Sequence, residues 1–327
     1  MLEAVLVNEP HGDPAVLVNL ANRPESYLLD CGSLHPLRIR DLQRIRRVFV
    51  THTHIDHFIG FDHLVRMQLF CPHELEVYGP DGLTEQVAGK LRGYAWNLVD
   101  KSSFVIVTHE LTEEQLRTTR FPCCRQFEPE PTLEATLPDG LSLPEGPRLS
   151  WCRVEHGVAC LAFCLRAPDE PRVQKAALAA FPHRPGPWLA ELKKGPGPDL
   201  MIEGQTYSRE ELARRLLEEV KGYALGYVSD TIFNKQTAKK MIALFQGCDE
   251  LWSEAAYLND QLEKAREHRH MTARQAGRLA DSAGVGKLHL FHQSRRYDAG
   301  QQPHLEEAAS VFANTVPASR YDAGSRP

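Results

Sequence analysis

Short apolar runs separated by turn residues dominate the first fifty positions of the chain. The runs at residues 4–7, 15–18, 27–30 and 48–50 are rich in strand-forming residues, and their close spacing predicts a β-sheet that is built early in the sequence. Apolar residues at helical spacing follow at 83–98 and 208–220. In the second of these stretches, Ser208 and Glu211 form a capping-box pair that predicts where the helix begins.

The second half of the chain alternates strand and helix patterns. The predicted strands are 149–154, 225–228, 250–252 and 287–291, and the predicted helices are 237–245 and 272–283. Thr272 and Gln275 form another capping-box pair at the start of the last helix. Strands in both halves with helices between them predict an α/β fold, an αβ/βα sandwich in which two mixed sheets pack face to face beneath outer helices.

Two stretches rich in Pro and Gly, residues 121–147 and 167–204, interrupt these patterns. They are predicted to be loops or excursions, because Pro lacks the amide hydrogen that a sheet interior needs. We therefore expect one domain, 1–327, with an arm-like excursion at about 167–206. The pentapeptide at 296–300 recurs at 320–324, and a flexible tail is expected at about 316–327.

Composition is that of an ordinary globular protein. The chain has 327 residues, of which 42% are hydrophobic and 25% charged, enough to bury a large core. The formal net charge of −5 gives no overall attraction for nucleic acid, so local basic patches or metal ions would have to hold a polyanion.

Eight cysteines without CxxC spacing predict reduced thiols in a cytoplasmic protein. The N-terminal residues lack a signal-peptide pattern, and no apolar run approaches the roughly 20 residues of a membrane span.

The strongest chemical signal is the motif His52-x-His54-x-Asp56-His57, which directly follows the apolar run at 48–50. Residues two apart in an extended segment point the same way, so His52 and His54 can converge on one metal ion. A turn after them can bring Asp56 and His57 to a neighbouring ion. The alternative is a polar turn with solvated imidazoles, but the pattern rarely arises by chance.

The remaining ligands of a two-metal site must come from later parts of the chain. His156, Asp230 and His292 each lie where a predicted strand opens into a loop, and such positions commonly carry active-site groups. For any one of these residues alone, a capping or core-edge role is the better interpretation. Their joint occurrence favours a metal site.

These motifs resemble the metallo-β-lactamase superfamily and, within it, the ribonuclease Z group, which trims precursor tRNA at the 3′ end. The resemblance extends over nearly all of the chain, and these segments carry it: 30–32, 51–57, 156, 229–231, 253–255, 270–272 and 292–297. It implies two zinc ions bound by seven residues: His52, His54 and His156 at one ion, Asp56, His57 and His292 at the other, and Asp230 as the bridge.

The resemblance also implies two roles in proton transfer. Asp56 would handle the proton of the water bound to the metals, and Glu254 would hold a cationic His270 that protonates the departing 3′ oxygen. A strand-end carboxylate and a histidine at a helix start are the structural alternative for the second pair.

The segment 184–195 resembles the protruding arm with which bacterial members grip the tRNA elbow. Arg184, Lys193 and Lys194 would then contact phosphates. A solvated Pro-rich loop is the alternative.

The substrate is less constrained than the metal site, because residues 32–36, Ser253 and residues 60–64 depart from the family pattern. We expect a two-metal phosphodiesterase or endoribonuclease that cleaves the 3′ trailer of precursor tRNA. The alternative is a small-molecule hydrolase of the same fold: a lactonase, a thioesterase or another phosphodiesterase. Basic residues at the cleft mouth would distinguish them. Five arginines before the metal motif could form such a rim or a solvated basic face: Arg38, Arg40, Arg44, Arg46 and Arg47.

The expected cofactor is a pair of divalent ions, zinc or manganese. The expected partners are precursor tRNA or another RNA and, by the resemblance, a second copy of the chain in a homodimer, with no membrane partner. A third hypothesis, a non-catalytic RNA-binding scaffold, would normally have lost metal ligands, and this sequence retains the complete set.

Overall fold

The computed structural model describes residues 2–112, 115–136, 140–297 and 300–324. Its strands, in chain order, are β1 (Leu2–Leu6), β2 (Val16–Leu20), β3 (Ser26–Leu29), β4 (Ile45–Phe49), β5 (Glu74–Gly79), β6 (Val105–Leu111), β7 (Gln115–Pro122), β8 (Leu133–Thr136), β9 (Leu141–Ser142), β10 (Arg148–Glu155), β11 (Ala159–Arg166), β12 (Glu170–Val173), β13 (Leu200–Ile202), β14 (Gln205–Tyr207), β15 (Leu217–Val220), β16 (Ala224–Val228), β17 (Glu250–Glu254), β18 (Lys287–Phe291) and β19 (Thr315–Pro317). Its α-helices are α1 (Ile39–Leu42), α2 (Ile55–Phe58), α3 (Phe61–Gln68), α4 (Leu83–Arg92), α5 (Lys175–Ala179), α6 (Trp188–Lys193), α7 (Arg209–Leu216), α8 (Lys235–Phe245), α9 (Leu262–His268), α10 (Ala273–Ala283) and α11 (Gln302–Ala309).

Two large mixed sheets carry most of the strands. The first has eight strands in the order β1 to β8, and the second has seven in the order β19-β18-β17-β16-β11-β10-β9. Strands β3 to β6 run parallel, as do β16 to β19, and parallel neighbours need the crossover connections that helices supply. The predicted two-sheet α/β sandwich is confirmed. Within the described ranges, no helix is long and apolar enough to cross a bilayer.

The two faces of each sheet are buried against different partners. In β4, Val48 belongs to the core beneath the helices, whereas the ring of its neighbour Phe49 lies 5.9 Å from that of Phe163 on β11 of the other sheet. Side chains alternate between the faces of a strand. Because both faces are covered at the end of β4, residues 48–50 form a short continuous apolar run in the sequence.

Residues Ala167–Tyr223 form a compact unit of their own. It contains the antiparallel pairs β12–β15 and β13–β14, and its helices α5 to α7 surround a small core that includes Phe181 and Leu216. The excursion expected at about 167–206 therefore continues through α7 and β15. The helix predicted at 208–220 begins as expected, with the Ser208 side chain accepting from the Glu211 amide, but it ends at Leu216 because the next four residues pair with β12.

Two stretches expected to be irregular contain strands. Within residues 121–147, β8 and β9 are the outermost strands of the two large sheets, where Pro-rich flanks are tolerated because one strand edge needs no partner. At the C-terminus, where a flexible tail was expected, β19 pairs with β18. The Tyr321 hydroxyl donates to Asp41 at 2.5 Å, so contacts hold the tail as far as this residue.

Gly60 lies at a close approach between the start of α3 and the loop after β3. Its amide donates to the Cys31 carbonyl at 2.9 Å, and a Cβ on Gly60 would lie 2.0 Å from the Gly32 carbonyl oxygen and 2.8 Å from Leu34 Cγ. A methyl group does not fit in this space. The Cys31 amide in turn donates to the His57 carbonyl at 2.8 Å, so this packing fixes the loop next to the metal motif.

We predict that Gly60→Ala lowers the free energy of unfolding by roughly 1–3 kcal/mol, the usual range for overpacking a filled space. The matched control is Gly89→Ala in α4, where an added Cβ would have no neighbour within 4 Å and where alanine is the better helix former. Chemical denaturation of both variants is the measurement. Equal stability of the Gly60→Ala variant and the parent would contradict the packing described above.

Candidate metal centre

The seven predicted metal ligands all follow strands of the two large sheets. In chain order they are His52 and His54 after β4, Asp56 and His57 in α2, His156 after β10, Asp230 after β16 and His292 after β18. The C-terminal ends of these strands bring the residues together at one edge of the sandwich, which is where α/β proteins commonly bind ligands.

The first group of ligand atoms comes from three histidines. His52 Nε2 lies 3.0 Å from His54 Nδ1, and the rings of His52 and His156 have centroids 4.9 Å apart. Together with Asp230, these residues offer nitrogen and oxygen atoms that all lie within 4.8 Å of one another. Imidazoles and a carboxylate at this spacing suit a tetrahedral or five-coordinate ion.

The second group consists of Asp56, His57 and His292, whose ligand atoms also lie within 4.8 Å of one another. His292 Nε2 is 3.2 Å and His57 Nε2 is 3.6 Å from Asp56 Oδ2. The chain thus brings together, from opposite halves of the sequence, the residues that the motif and the later strand ends predict.

Asp230 lies between the two groups and faces each with a different oxygen. Its Oδ2 is 3.3 Å from His156 Nε2 and 3.8 Å from His52 Nε2. Its Oδ1 is 3.4 Å from His57 Nε2 and 3.6 Å from His292 Nε2. This is the arrangement that a bridging carboxylate requires.

The electrostatics of the cluster favour bound cations. Burial and the neighbouring His57 lower the pKa of His52 to about 2, so its imidazole is neutral and keeps a lone pair for a metal ion. At His57, burial lowers the pKa, but the carboxylates of Asp230 and Asp30 outweigh it and raise the pKa well above its usual value. His57 Nε2 is buried with no hydrogen-bond partner among the described residues. A divalent ion would satisfy this nitrogen and balance the carboxylates.

Asp30 orients one of these histidines and was not assigned a role from the sequence. Its fully buried carboxylate accepts from the Thr51 amide at 2.7 Å and from the Tyr227 hydroxyl at 2.9 Å. Its Oδ2 lies 2.9 Å from His57 Nδ1, so His57 donates with Nδ1 and presents Nε2 to the cluster. The sequence signal was the segment 30–32, which carries part of the family resemblance.

A backbone carbonyl performs the same task for His156. His156 Nδ1 donates to the Arg269 carbonyl oxygen at 2.9 Å. Arg269 adopts a left-handed conformation with φ of 58°, which L-residues other than Gly, Asn and Asp rarely do. A hydrogen bond to a backbone carbonyl does not depend on a particular side chain, so no sequence motif could have predicted this contact.

Glu254 and His270 adjoin the cluster. Glu254 Oε2 is 2.9 Å from His270 Nδ1, and Glu254 Oε1 accepts from the Thr231 amide at 2.7 Å. Burial lowers the pKa of His270, but Glu254 outweighs that effect and raises the pKa to about 9. His270 also lines an open cavity of about 670 Å³ together with Asp56 and His292. A cationic imidazole therefore faces the space in front of the ligand cluster.

The three proposed arm residues are exposed. Arg184 precedes α6 within the 167–223 unit, Lys193 ends this helix, and Lys194 follows it and pairs with Glu191. All three lie on the solvent-exposed surface of this unit.

The five arginines considered as a basic rim do not line the cavity in front of the ligands. Arg38, Arg40 and Arg44 precede β4, and Arg46 and Arg47 lie within it, whereas the ligands follow it. Arg47 is buried and pairs with Glu145 and with Glu76, the latter at 3.0 Å. Arg47 therefore stabilises the fold, and none of the five contributes a positive charge to the lining of this cavity.

Known proteins have a fold similar to that of this chain. A family model for a beta-lactamase superfamily domain matches residues 28–126. Two solved structures have similar folds: the metallo-beta-lactamase fold protein YhfI from Bacillus subtilis, with a TM-score of 0.59, 18% identity and 98% of each chain covered, and the short form of human tRNase Z, with a TM-score of 0.51, 17% identity and coverage of 90% of this chain and 93% of that one.

Relatives found by sequence align with most of this chain. A ribonuclease Z from Deinococcus radiodurans is 31% identical over 329 aligned positions, which cover 98% of each chain. A ribonuclease Z from Prochlorococcus marinus is 28% identical, with 92% of this chain and 88% of the relative covered. The chain belongs to the ribonuclease Z family, within the metallo-β-lactamase superfamily.

Proposed function

We propose that this protein is a two-zinc endoribonuclease that removes the 3′ trailer from precursor tRNA. The observation that carries the proposal is the position of Asp230 between the two ligand groups, one oxygen toward each, with the Glu254–His270 pair beside them. The relatives named ribonuclease Z support the choice of substrate.

The ligand assignment follows the two groups. His52, His54 and His156 would hold one ion, and Asp56, His57 and His292 would hold the other, with Asp230 beside both groups. When bound, two such ions would lower the pKa of a water molecule and polarise the scissile phosphate. Zinc suits these donors, because it accepts imidazole nitrogen and carboxylate oxygen in small coordination shells.

Two proton transfers are assigned to side chains, one to Asp56 and the other to His270. Burial raises the pKa of Asp56, but hydrogen bonding to His292 and the charge of His57 outweigh it and lower the pKa below its usual value, so Asp56 stays ionised and can accept a proton from the attacking water. On the other side, Glu254 keeps His270 protonated, and His270 donates to the departing 3′ oxygen. In this scheme one residue takes a proton while another gives one.

The proposal extends to substrate binding, assembly and location. Arg184, Lys193 and Lys194 contact phosphates of the tRNA, and the protein acts as a homodimer in the cytoplasm. The eight cysteines are free thiols, which supports a reducing compartment. The excursion at 167–223 serves as the arm of a single metallo-β-lactamase-type domain.

We predict that the purified protein, supplied with zinc or manganese, cuts a precursor tRNA bearing a 3′ trailer just after the discriminator base. Asp56→Ala should abolish this cleavage, because it removes both a ligand and the proton acceptor. Mapping the cleaved ends is the measurement. If the protein cleaves a simple phosphodiester but leaves the tRNA intact, the two-metal chemistry stands and the tRNA assignment falls.

We predict that Asp30→Asn weakens zinc binding by about 10- to 100-fold, the usual effect of losing a residue that orients a metal ligand. Asparagine tolerates the left-handed conformation of position 30, where φ is 53°. Tyr227→Phe is the matched control, because it removes one hydrogen bond to Asp30 but keeps the carboxylate, and its effect should be smaller. Competition with a chromophoric chelator measures both. Parent-like affinity of Asp30→Asn would rule out the orienting role.

We predict that His270→Gln lowers kcat for precursor tRNA by about 10²- to 10⁴-fold, the usual contribution of a general acid. The same variant should hydrolyse bis(p-nitrophenyl) phosphate at nearly the parent rate, because p-nitrophenolate leaves without being protonated. Parallel kinetics on the two substrates make the comparison. An equal loss on both would mean that His270 binds metal and does not donate the proton.

A further inference from the structure

A second cavity, of about 400 Å³, adjoins the metal centre. His156 lines both this cavity and the one in front of the ligand cluster, so the two cavities are neighbours. Three cationic side chains line the second cavity, those of Arg153, Lys240 and Arg269. The family motifs include none of them.

Arg269 is held at this cavity at the cost of an unfavourable backbone conformation. Its left-handed φ of 58° directs its carbonyl to His156, and its guanidinium lies against Gly157. A Cβ on residue 157 would lie 2.7 Å from Arg269 Nη1, so the guanidinium can occupy this place only beside a glycine. Strained residues that surrounding contacts hold in place are typical of functional sites.

The charges of the lining favour a phosphate ligand. Glu155 is the one carboxylate among the lining residues, and its Oε2 accepts from Asn234 Nδ2 at 2.8 Å. Arg153 and Arg269 are both exposed to solvent. The protein as a whole carries a net charge of −5, so a local patch of this kind is what a polyanion needs.

A third cavity, of about 430 Å³, lies on the other side of Arg153. Arg153 and Ala159 line both the second cavity and the third, and the half-buried Trp151 lines the third. The Trp151 indole donates to the Thr112 carbonyl at 2.8 Å, which fixes the ring. Asp81 also lines this space but pairs with Arg117. Cations followed by an aromatic ring are the usual composition of sites for single-stranded nucleic acid.

We propose that the second and third cavities bind the single-stranded 3′ trailer of the substrate. Arg153 and Arg269 contact the phosphate that follows the scissile one, and Trp151 stacks on a base beyond it. The trailer is favoured over the acceptor strand because the acceptor strand is base-paired, and its bases cannot reach an aromatic side chain. This inference rests on the proposed function for the identity of the RNA.

The test uses precursor tRNAs with a one-nucleotide trailer and an eight-nucleotide trailer. The variant Arg153→Gln removes one guanidinium group from the cavity and leaves Arg269, whose carbonyl orients His156, unchanged. For the long trailer, KM should rise several-fold, and the slope of log KM against log salt should fall by about 0.7, the value for one lost phosphate contact. The one-nucleotide trailer lacks the next phosphate, so its KM and kcat should stay at parent values.

The control is Arg278→Gln, which removes an exposed positive charge from α10 outside both cavities and should change neither substrate. An equal loss on both trailers would mean that Arg153 contacts the acceptor strand, and this would overturn the proposal, as would no loss on either.

A binding measurement separates this inference from the proposed function. A fluorescent single-stranded oligoribonucleotide should bind the parent protein more tightly than it binds the Arg153→Gln variant, and adding Trp151→Leu to that variant should weaken binding further, on the order of tenfold. If the parent binds the oligonucleotide in this way but does not cleave precursor tRNA, the proposed function fails and the binding site stands. If the parent cleaves and the variants bind as the parent does, the binding site fails alone.

Discussion

The buried carboxylate of Asp30 is the interaction on which the site depends. It follows β3 in the first sheet, and it accepts hydrogen bonds from Thr51 after β4 and from Tyr227 on β16 of the second sheet. A carboxylate removed from water is costly unless hydrogen bonds or charges compensate it, and these partners do so only when the two sheets are in register at this edge. The same carboxylate holds His57. The packing of the two sheets and the orientation of His57 therefore depend on the same carboxylate.

The backbone at the site carries strain that this packing supports. Asp30, Arg269 and His292 all have φ between 53° and 58°, in the left-handed region that most residues avoid. Each is tied down by contacts of its own: Asp30 by the bonds just described, Arg269 through its carbonyl to His156, and His292 through Asp56. Strained positions persist where surrounding structure over-determines them, and here they turn ligands and a cation toward the cleft.

The sequence predicted what is local and missed what arises only in three dimensions. The motif at 52–57 is predictable because its four ligands lie within six residues, and the end of β4 because burial on both faces makes residues 48–50 apolar. The strand at Leu217–Val220 was missed because pairing with β12 overrides a helical pattern. The five arginines at 38–47 are near the motif in sequence but do not line the cavity in front of the ligands, and the cations that line the cavity beside His156 come from three segments far from one another in the sequence.

The most direct test of the central claim is a crystal of the zinc-loaded protein measured at the zinc absorption edge. The account predicts two anomalous peaks about 3.5–4 Å apart, one among His52, His54 and His156 and the other among Asp56, His57 and His292, with Asp230 in contact with both. A single peak, or peaks away from Asp230, would contradict the assignment of this cluster as a two-metal hydrolytic centre.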